Sequence, residues 1–362
     1  MKKVAIILAG GIGARLWPKS TASHPKQFMS LIGEKSLVRQ TYDRLLQYLP
    51  KEDIFVVTYS SLEKITLEQL PDLPKSNLIL EPFGRNTLPA LLLTHITIKN
   101  KYSSNDVLLT IPSDHIIKND TEFFASLDLA AETASQTKGI ASIGITPTRP
   151  GTQYGYVQIN EDKDSLGELF EKGVRQTNVF AEKPDMETAK RFIESGDFLW
   201  NTGIFAVEFN VFAEKLEKYL PEYFAQFKNL SQYLFSEYYI TSVEFTYKQI
   251  NSISIDYGLM EKTDDLFIIP GKFGWSDLGN WDELYRLSMK DSRNNFFEGD
   301  VIGVDTSNSI VMTNKKTIGL VGVSDLVVIE SDDAVFICKR GESERVKEII
   351  DQLRRQNLNK LL

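Results

Sequence analysis

Six apolar residues, Val4 to Ala9, run without a break into Gly10, Gly11 and Gly13. A run of that length suits a core strand. A strand followed by a glycine-rich bend is how a parallel sheet presents backbone N–H groups to a phosphate or a base. Arg15, Lys26 and Gln27 follow in short order. The dinucleotide fingerprint needs a third glycine where this chain has Leu16, and the Gly-Lys-Ser/Thr of a P-loop is absent. The stretch therefore reads as a nucleotide loop of neither common design.

The opening MKKVAIILAGG imitates a signal peptide only superficially. Its apolar part is short, runs into glycines and has no following small-residue cleavage pattern, so a core strand and a cytoplasmic protein are the expectation. No run approaches the ~20 apolar residues of a membrane span. The formal net charge of -8 argues against bulk nucleic-acid binding, so an anionic substrate would need a local cluster of Lys and Arg. A single cysteine, Cys338, rules out an internal disulfide and any cysteine-rich metal site.

Past the glycine loop, strands and helices alternate. Ser36 can cap a helix carrying Leu37, Val38, Tyr42, Leu45, Leu46 and Leu49, and Ile54 to Thr58 is the next strand. Leu62 to Leu70 reads as a helix, and Leu78 to Leu80 as a strand entering EPFGRNTLPA. A helix is expected from Pro89 to about Lys99, then a strand from Val107 to Ile111 ending in PSDH. Such alternation implies an α/β fold, a doubly wound, mostly parallel sheet with helices on both faces. Gly10 to Gly13, Glu81 to Thr87 and Pro112 to His115 each lie just past the carboxyl end of a strand, where open α/β sheets bind ligands.

Further on, Ala141 to Ile145, Val179 to Glu182 and LWNTGIFAVE read as strands, GTQYGYVQI as a loop entering another, and Asp185 caps a helix that stops at Gly196. Leu216 to Ile240 should be helical, SISIDYGLMEK a turn into a helix, and Trp281 to Leu287 a helix. From Asn294 short β-branched runs alternate with Gly, Asp and Asn, the pattern of a small all-β unit such as a few turns of a β-helix. The last helix sets Val346, Ile349, Ile350 and Leu353 on one face. Two domains follow, 1–290 and 291–362, the second without the residue types of an active site and suited to packing or assembly.

The segments GGIGARLWPKSTASHPKQF, EPFGRNTLPA, PSDH, QYGYVQ, AEKP, WNTGIF, SIDYGLMEK and FGWSDLGNW together resemble the sugar-1-phosphate nucleotidyltransferases. Within that family they are most similar to the mannose-1-phosphate guanylyltransferases, also called GDP-mannose pyrophosphorylases. The resemblance covers roughly residues 4 to 285, in family order. It implies a Rossmann-like nucleotidyltransferase domain followed by a short left-handed β-helix. It also implies transfer of GMP from GTP to α-D-mannose 1-phosphate, giving GDP-mannose and pyrophosphate. Some members carry a further phosphomannose isomerase domain; the sequence stops at Leu362, too soon for one, so isomerase activity is not expected.

Residue by residue, the resemblance implies that Arg15 and Lys26 hold the triphosphate and the departing pyrophosphate. Fixed cations stabilise the charge that a pyrophosphate leaving group develops, so the chemistry agrees. Asp114 and Asp277, far apart in sequence, are paired by the resemblance as ligands of Mg²⁺, which favours hard carboxylate and phosphate oxygens. As plain structural residues they would each cap a turn. Lys183 is implied to hold the phosphate of the sugar 1-phosphate and Glu182 the sugar hydroxyls, with Gly155, Asn201 and Thr202 lining the same pocket. Trp200 suits the core as well as a sugar. Gly10, Gly11 and Gly13 offer close approach to the nucleotide, and Glu81, Arg85, Asn86 and Thr87 offer edge recognition of guanine.

No Ser or Cys nucleophile accompanies His24 or His115; His115 is expected to support the PSDH turn, His24 to be peripheral and His95 to lie on a helix. A phosphomonoester is already largely ionised near neutral pH, its second pKa being ~6, so no general base is required. Another sugar 1-phosphate, such as glucose or a heptose, is the alternative substrate, and a catalytically silent nucleotide-sugar sensor is the alternative outside enzymes. Neither nucleic acid nor membrane is an expected partner, and a homodimer stays open.

Overall fold

The computed structural model describes residues 1–161, 166–234 and 236–362. They divide into two compact units. One comprises 1–10, 41–113 and 117–275, the other 11–40, 114–116 and 276–362.

The first unit is built on a nine-stranded sheet. Strand β1 (Lys3–Leu8) is the apolar run at the start of the chain. It lies parallel between β2 (Ile54–Tyr59) and β4 (Val107–Pro112), and β3 (Leu78–Glu81) pairs parallel with β2. These four bear out the expected parallel sheet. Beyond β4 the sheet becomes mixed. Phe198–Glu208 runs antiparallel to both β4 and Ile140–Ile145, Leu266–Pro270 pairs parallel with Ile140–Ile145, and Gly155–Asn160 and Arg175–Glu182 are antiparallel neighbours. Phe198–Glu208 is buried on both faces and so lacks the in-out alternation that commonly marks an antiparallel strand, which is why this half could not be oriented from its pattern.

Helix α1 (Leu37–Leu46) follows Ser36, whose Oγ accepts from Arg39 N at 3.4 Å. Helix α2 is Glu63–Gln69 and helix α3 is Thr87–Ile98. Helix α3 starts two residues before the expected Pro89, because the Asn86 side chain caps it by accepting from Thr87 N. Pro89 then sits in the first turn, where its missing N–H costs nothing. Almost every residue of α3 is buried, the mark of a helix inside a core rather than on it. Helices Phe209–Tyr219, Pro221–Leu230 and Tyr239–Gln249 pack into the same core through Phe212, Leu216, Phe227 and Tyr247. Position 235, inside the stretch expected to be helical, lies outside the described residues.

The second unit takes its core from three separated segments. Leu16, Trp17, Met29 and Leu31 pack with Ile116, with Leu278, Trp281 and Leu284, and with Ile310, Met312, Val327, Ile329, Phe336, Val346 and Ile350. Helix Trp281–Leu287 lies as expected. After it, Phe296–Glu298, Ile310–Met312 and Leu326–Glu330 stack parallel, as do Val301–Val304 and Ile318–Val321, which bears out the expected β-rich coil. Its corners use Asp305, Asn308 and Asp325 at positive φ, residues whose short polar side chains tolerate that conformation. On the last helix, Val346–Arg355, Val346 and Ile350 are buried and Leu353 is half-buried, but Ile349 is 36% exposed and turns away from the expected stripe. No helix among the described residues is long and apolar enough to cross a membrane.

Candidate active site

The glycine loop folds back on Lys26, within the second unit. Gly11 and Gly13 adopt φ of +96° and +70°. A Cβ on Gly13 would stand 2.5 Å from Lys26 Cβ, so only glycine lets the lysine pass. Lys26 N donates to Ile12 O at 3.3 Å, Ser20 Oγ donates to the same carbonyl, and Gln27 Nε2 donates to Gly11 O at 3.1 Å. Gln27 is thus spent on holding the loop. Lys26 is only 5% exposed, and its Nζ lies 2.8 Å from Asp114 Oδ2 while also donating to the backbone oxygen of Asp277.

One ammonium thus joins the two aspartate motifs that sequence spacing alone could not connect. Burial pushes the Asp114 carboxyl up, but the Lys26 ammonium and His115 outweigh it and hold it below the usual carboxylate range. Arg15 lies in a single helical turn, Ala14–Leu16, with its Nε buried and without a hydrogen-bond partner, so that nitrogen is not spent on an internal contact.

Asp114 and Asp277 carry carboxylate oxygens of the hard anionic kind that Mg²⁺ takes one or two at a time beside phosphate oxygens. Asp277 turns its carboxylate against Gly279, where a Cβ would meet Oδ2 at 2.7 Å. The donor chemistry fits the ion. Among the described residues no group of three or more His, Cys, Asp or Glu side chains forms a complete cage by itself.

The base-recognition candidates belong to the first unit, at the carboxyl ends of β2 and β3. Tyr59 packs against two glycines: a Cβ would come within 3.5 Å of its ring from Gly10 and 2.4 Å of its hydroxyl from Gly84. Glu81 is 2% exposed and accepts from Tyr247 Oη at 3.0 Å. Burial pushes its carboxyl up to about 8, against the pull of that hydrogen bond. Arg85 Nε donates to Tyr247 O at 3.0 Å and its guanidinium lies 5.1 Å from the Phe83 ring centre. Asn86 caps α3, and Thr87 Oγ1 accepts from Ile255 N at 2.9 Å. All four candidates therefore hold internal contacts.

The sugar-phosphate candidates form a second cluster of the same unit. Gly155 pairs across the sheet with Glu182, whose Oε2 would lie 2.5 Å from a Cβ at Gly155. Lys183, at φ +50°, is half-exposed and ion-paired to Glu182 Oε1. Asn201 donates from Nδ2 to Asp256 Oδ1 at 2.9 Å and accepts from Ser142 Oγ at 3.1 Å. Thr202 is 3% exposed and donates to Ile143 O at 2.7 Å, so its side chain faces the sheet interior.

Asp256, within SIDYGLMEK, is a member of this cluster that sequence reasoning missed; it opens the helical turn Asp256–Met260. Burial, and then the charge of Glu182, push its carboxyl up to about 6. Its place in SIDYGLMEK, a segment that already carries part of the resemblance, was the signal that could have found it. Trp200 is 3% exposed among Tyr154 and Trp275, a core position. His95 lies on α3 between Phe209 and Phe212, with burial, and then Lys99, lowering its pKa to about 4.

Comparison with known proteins gives a consistent result. Residues 4–294 match the nucleotidyl transferase family and residues 299–353 the MannoseP isomerase/GMP-like beta-helix domain. A putative mannose-1-phosphate guanylyltransferase of Vibrio cholerae is 36% identical over 98% of this chain and 75% of its own length. Mannose-1-phosphate guanylyltransferase 2 of Escherichia coli O157:H7 is 33% identical over 98% of this chain and 74% of its own. The crystal structure of mannose-1-phosphate geranyltransferase from Thermus thermophilus superposes with a TM-score of 0.86 at 30% identity, covering 98% of this chain and all of that one.

Proposed function

The chain belongs to the nucleotidyl transferase family, and we propose that it transfers GMP from GTP to α-D-mannose 1-phosphate, releasing pyrophosphate and forming GDP-mannose. The observation that carries this reading is the Lys26 ammonium shared between Asp114 and the Asp277 carbonyl, beside a loop in which Gly13 leaves room for the lysine stem. It puts a fixed cation and two carboxylate motifs into one constellation, which is what charge transfer to a leaving pyrophosphate demands.

In the proposed reaction a phosphate oxygen of mannose 1-phosphate attacks the α-phosphorus of GTP in line. The new P–O bond replaces the bond to the β-phosphate, and pyrophosphate leaves with the electron pair. Arg15 and Lys26 stabilise the triphosphate and the leaving group. Lys183 binds the sugar phosphate, Glu182 and Asn201 accept and donate to sugar hydroxyls, and Gly155 shapes the same pocket, while the buried Thr202 supports it from the sheet side. Gly10 and Gly11 admit the nucleotide, and Glu81, Arg85, Asn86 and Thr87 frame the guanine site through the contacts described above. Asp114 and Asp277 would hold a magnesium ion, which would neutralise charge on the phosphates. Since the nucleophile is already ionised, alignment and charge stabilisation suffice.

Residues 1–290 carry the transfer chemistry and 291–362 the β-strand domain, a division supported by the family boundary between 294 and 299. A cytoplasmic location, where GTP is made, belongs to the same proposal. So does a homodimer, supported by the exposed apolar residues Ile302, Val304 and Val321 of the β-strand domain and checked by light scattering. Pyrophosphate release from GTP and mannose 1-phosphate by the purified protein tests the reading.

A further inference from the structure

The loop that carries Arg15 and Lys26 is fastened to residues from the other end of the sequence, all within the second unit. Trp17 is 5% exposed. Its indole Nε1 donates to Leu361 O at 2.7 Å, and its own backbone oxygen accepts from Trp281 Nε1 at 3.0 Å. Its ring meets Phe336 edge-on, with centroids 6.3 Å apart. Leu16 is fully buried in the same cluster as Val346 and Ile350. Lys19 reaches Glu298 Oε1 at 3.5 Å and Asn314 Oδ1 at 3.2 Å.

The turn Ala14–Leu16 is three residues long and cannot hold a guanidinium in place through its own hydrogen bonds. What fixes it must lie outside it, and the fixings found are the indole pair and the wall of the β-strand domain. Trp281 follows closely after Asp277, whose carbonyl takes the Lys26 ammonium. The two tryptophans therefore tie the arginine end of the loop to the same segment that receives its lysine end.

We propose that Trp17 is a positioning residue for nucleotide transfer: held by Leu361 and Trp281, it sets Arg15 and Lys26 against the phosphates, which makes the β-strand domain part of the GTP-handling apparatus. The proposal rests on the assignment of Arg15 and Lys26 to GTP. It departs from the sequence-based expectation that this domain serves only packing or assembly.

Trp17→Phe keeps a ring against Phe336 and removes the indole donor. Trp281→Phe releases the Trp17 carbonyl from the other side. Steady-state kinetics of the full chain are measured in both directions, with melting temperature recorded for each variant. Each variant is expected to lose about tenfold in kcat/KM for GTP and for pyrophosphate, while KM for mannose 1-phosphate stays within about twofold. A purely structural role would lower the melting temperature and leave the substrate constants of the folded fraction alone; that result overturns the proposal. Equal damage to both substrates in both variants overturns it as well. A wild-type protein that fails to convert GTP and mannose 1-phosphate would instead overturn the functional reading beneath it.

Discussion

Lys26 and Asp114 form an ion pair of 2.8 Å in which the lysine side chain is only 6% exposed. Removing the lysine takes away the one buried cation of the pair and leaves the Asp114 carboxylate, itself 33% exposed, without its partner. Lys26→Met should therefore cut kcat/KM for GTP by about 10²–10³, the range found when one donor to a developing oxyanion is lost. Lys183 is half-exposed and pairs with Glu182 in the other unit, so its loss should act elsewhere. Lys183→Met is expected to raise KM for mannose 1-phosphate roughly ten- to a hundredfold, with KM for GTP little changed. Forward and reverse kinetics separate the two; a Lys183→Met protein defective only toward GTP would refute this division of labour.

Gly13 combines positive φ with a close approach to Lys26, whereas Gly33 has φ of +77° and nothing within 4 Å of its Cβ position. Both alanine variants carry the backbone cost of about 1–2 kcal/mol for an L residue in that region. Only Gly13→Ala must also displace Lys26, and such misplacement can cost roughly a hundredfold in rate. Kinetics beside melting curves should show Gly33→Ala less stable but fully active, and Gly13→Ala both less stable and slow. Equal activity in the two would remove the claim that Gly13 sets the lysine.

The carboxylates of Asp114 and Asp277 predict dependence on a divalent cation. Protein treated with EDTA should stop releasing pyrophosphate and recover on addition of Mg²⁺. Undiminished turnover in metal-free buffer would count against the ligand assignment.

Glu81 gives a pH signature. Its folded-state pKa of about 8 stands above the ordinary 4.5, because burial disfavours the charge. A raised carboxyl contributes stability that is fully present below the unfolded pKa and is lost as pH rises through the folded one. The melting temperature should therefore fall between pH 4.5 and about 8. Glu81→Gln, which keeps an oxygen for Tyr247 Oη, should flatten that slope. An unchanged slope in the variant would show that another group is responsible.

Much of this molecule is legible in its sequence where local chemistry decides the outcome. Val4 to Ala9 reads as a strand because it is apolar and ends in glycine, and Asp185 and Gly196 bracket their helix as cap and stop. Long-range pairings are less legible. Nothing local says that Phe198–Glu208 runs antiparallel beside β4, or that the Lys26 ammonium meets a carbonyl 251 residues away. Trp17 gave no signal of its bond to Leu361, since a tryptophan in a loop reads simply as a hydrophobe. Thr202, polar and beside Asn201, reads as a pocket residue, yet its hydroxyl satisfies a buried strand carbonyl.

The most direct test of the functional claim is a matrix of the four ribonucleoside triphosphates against mannose, glucose and heptose 1-phosphates, with Mg²⁺ present and pyrophosphate release measured. Release should be greatest with GTP and mannose 1-phosphate, with GDP-mannose as the accompanying product. Comparable release from another triphosphate with glucose or heptose 1-phosphate would contradict the assignment of substrates, and silence throughout the matrix would contradict the activity itself.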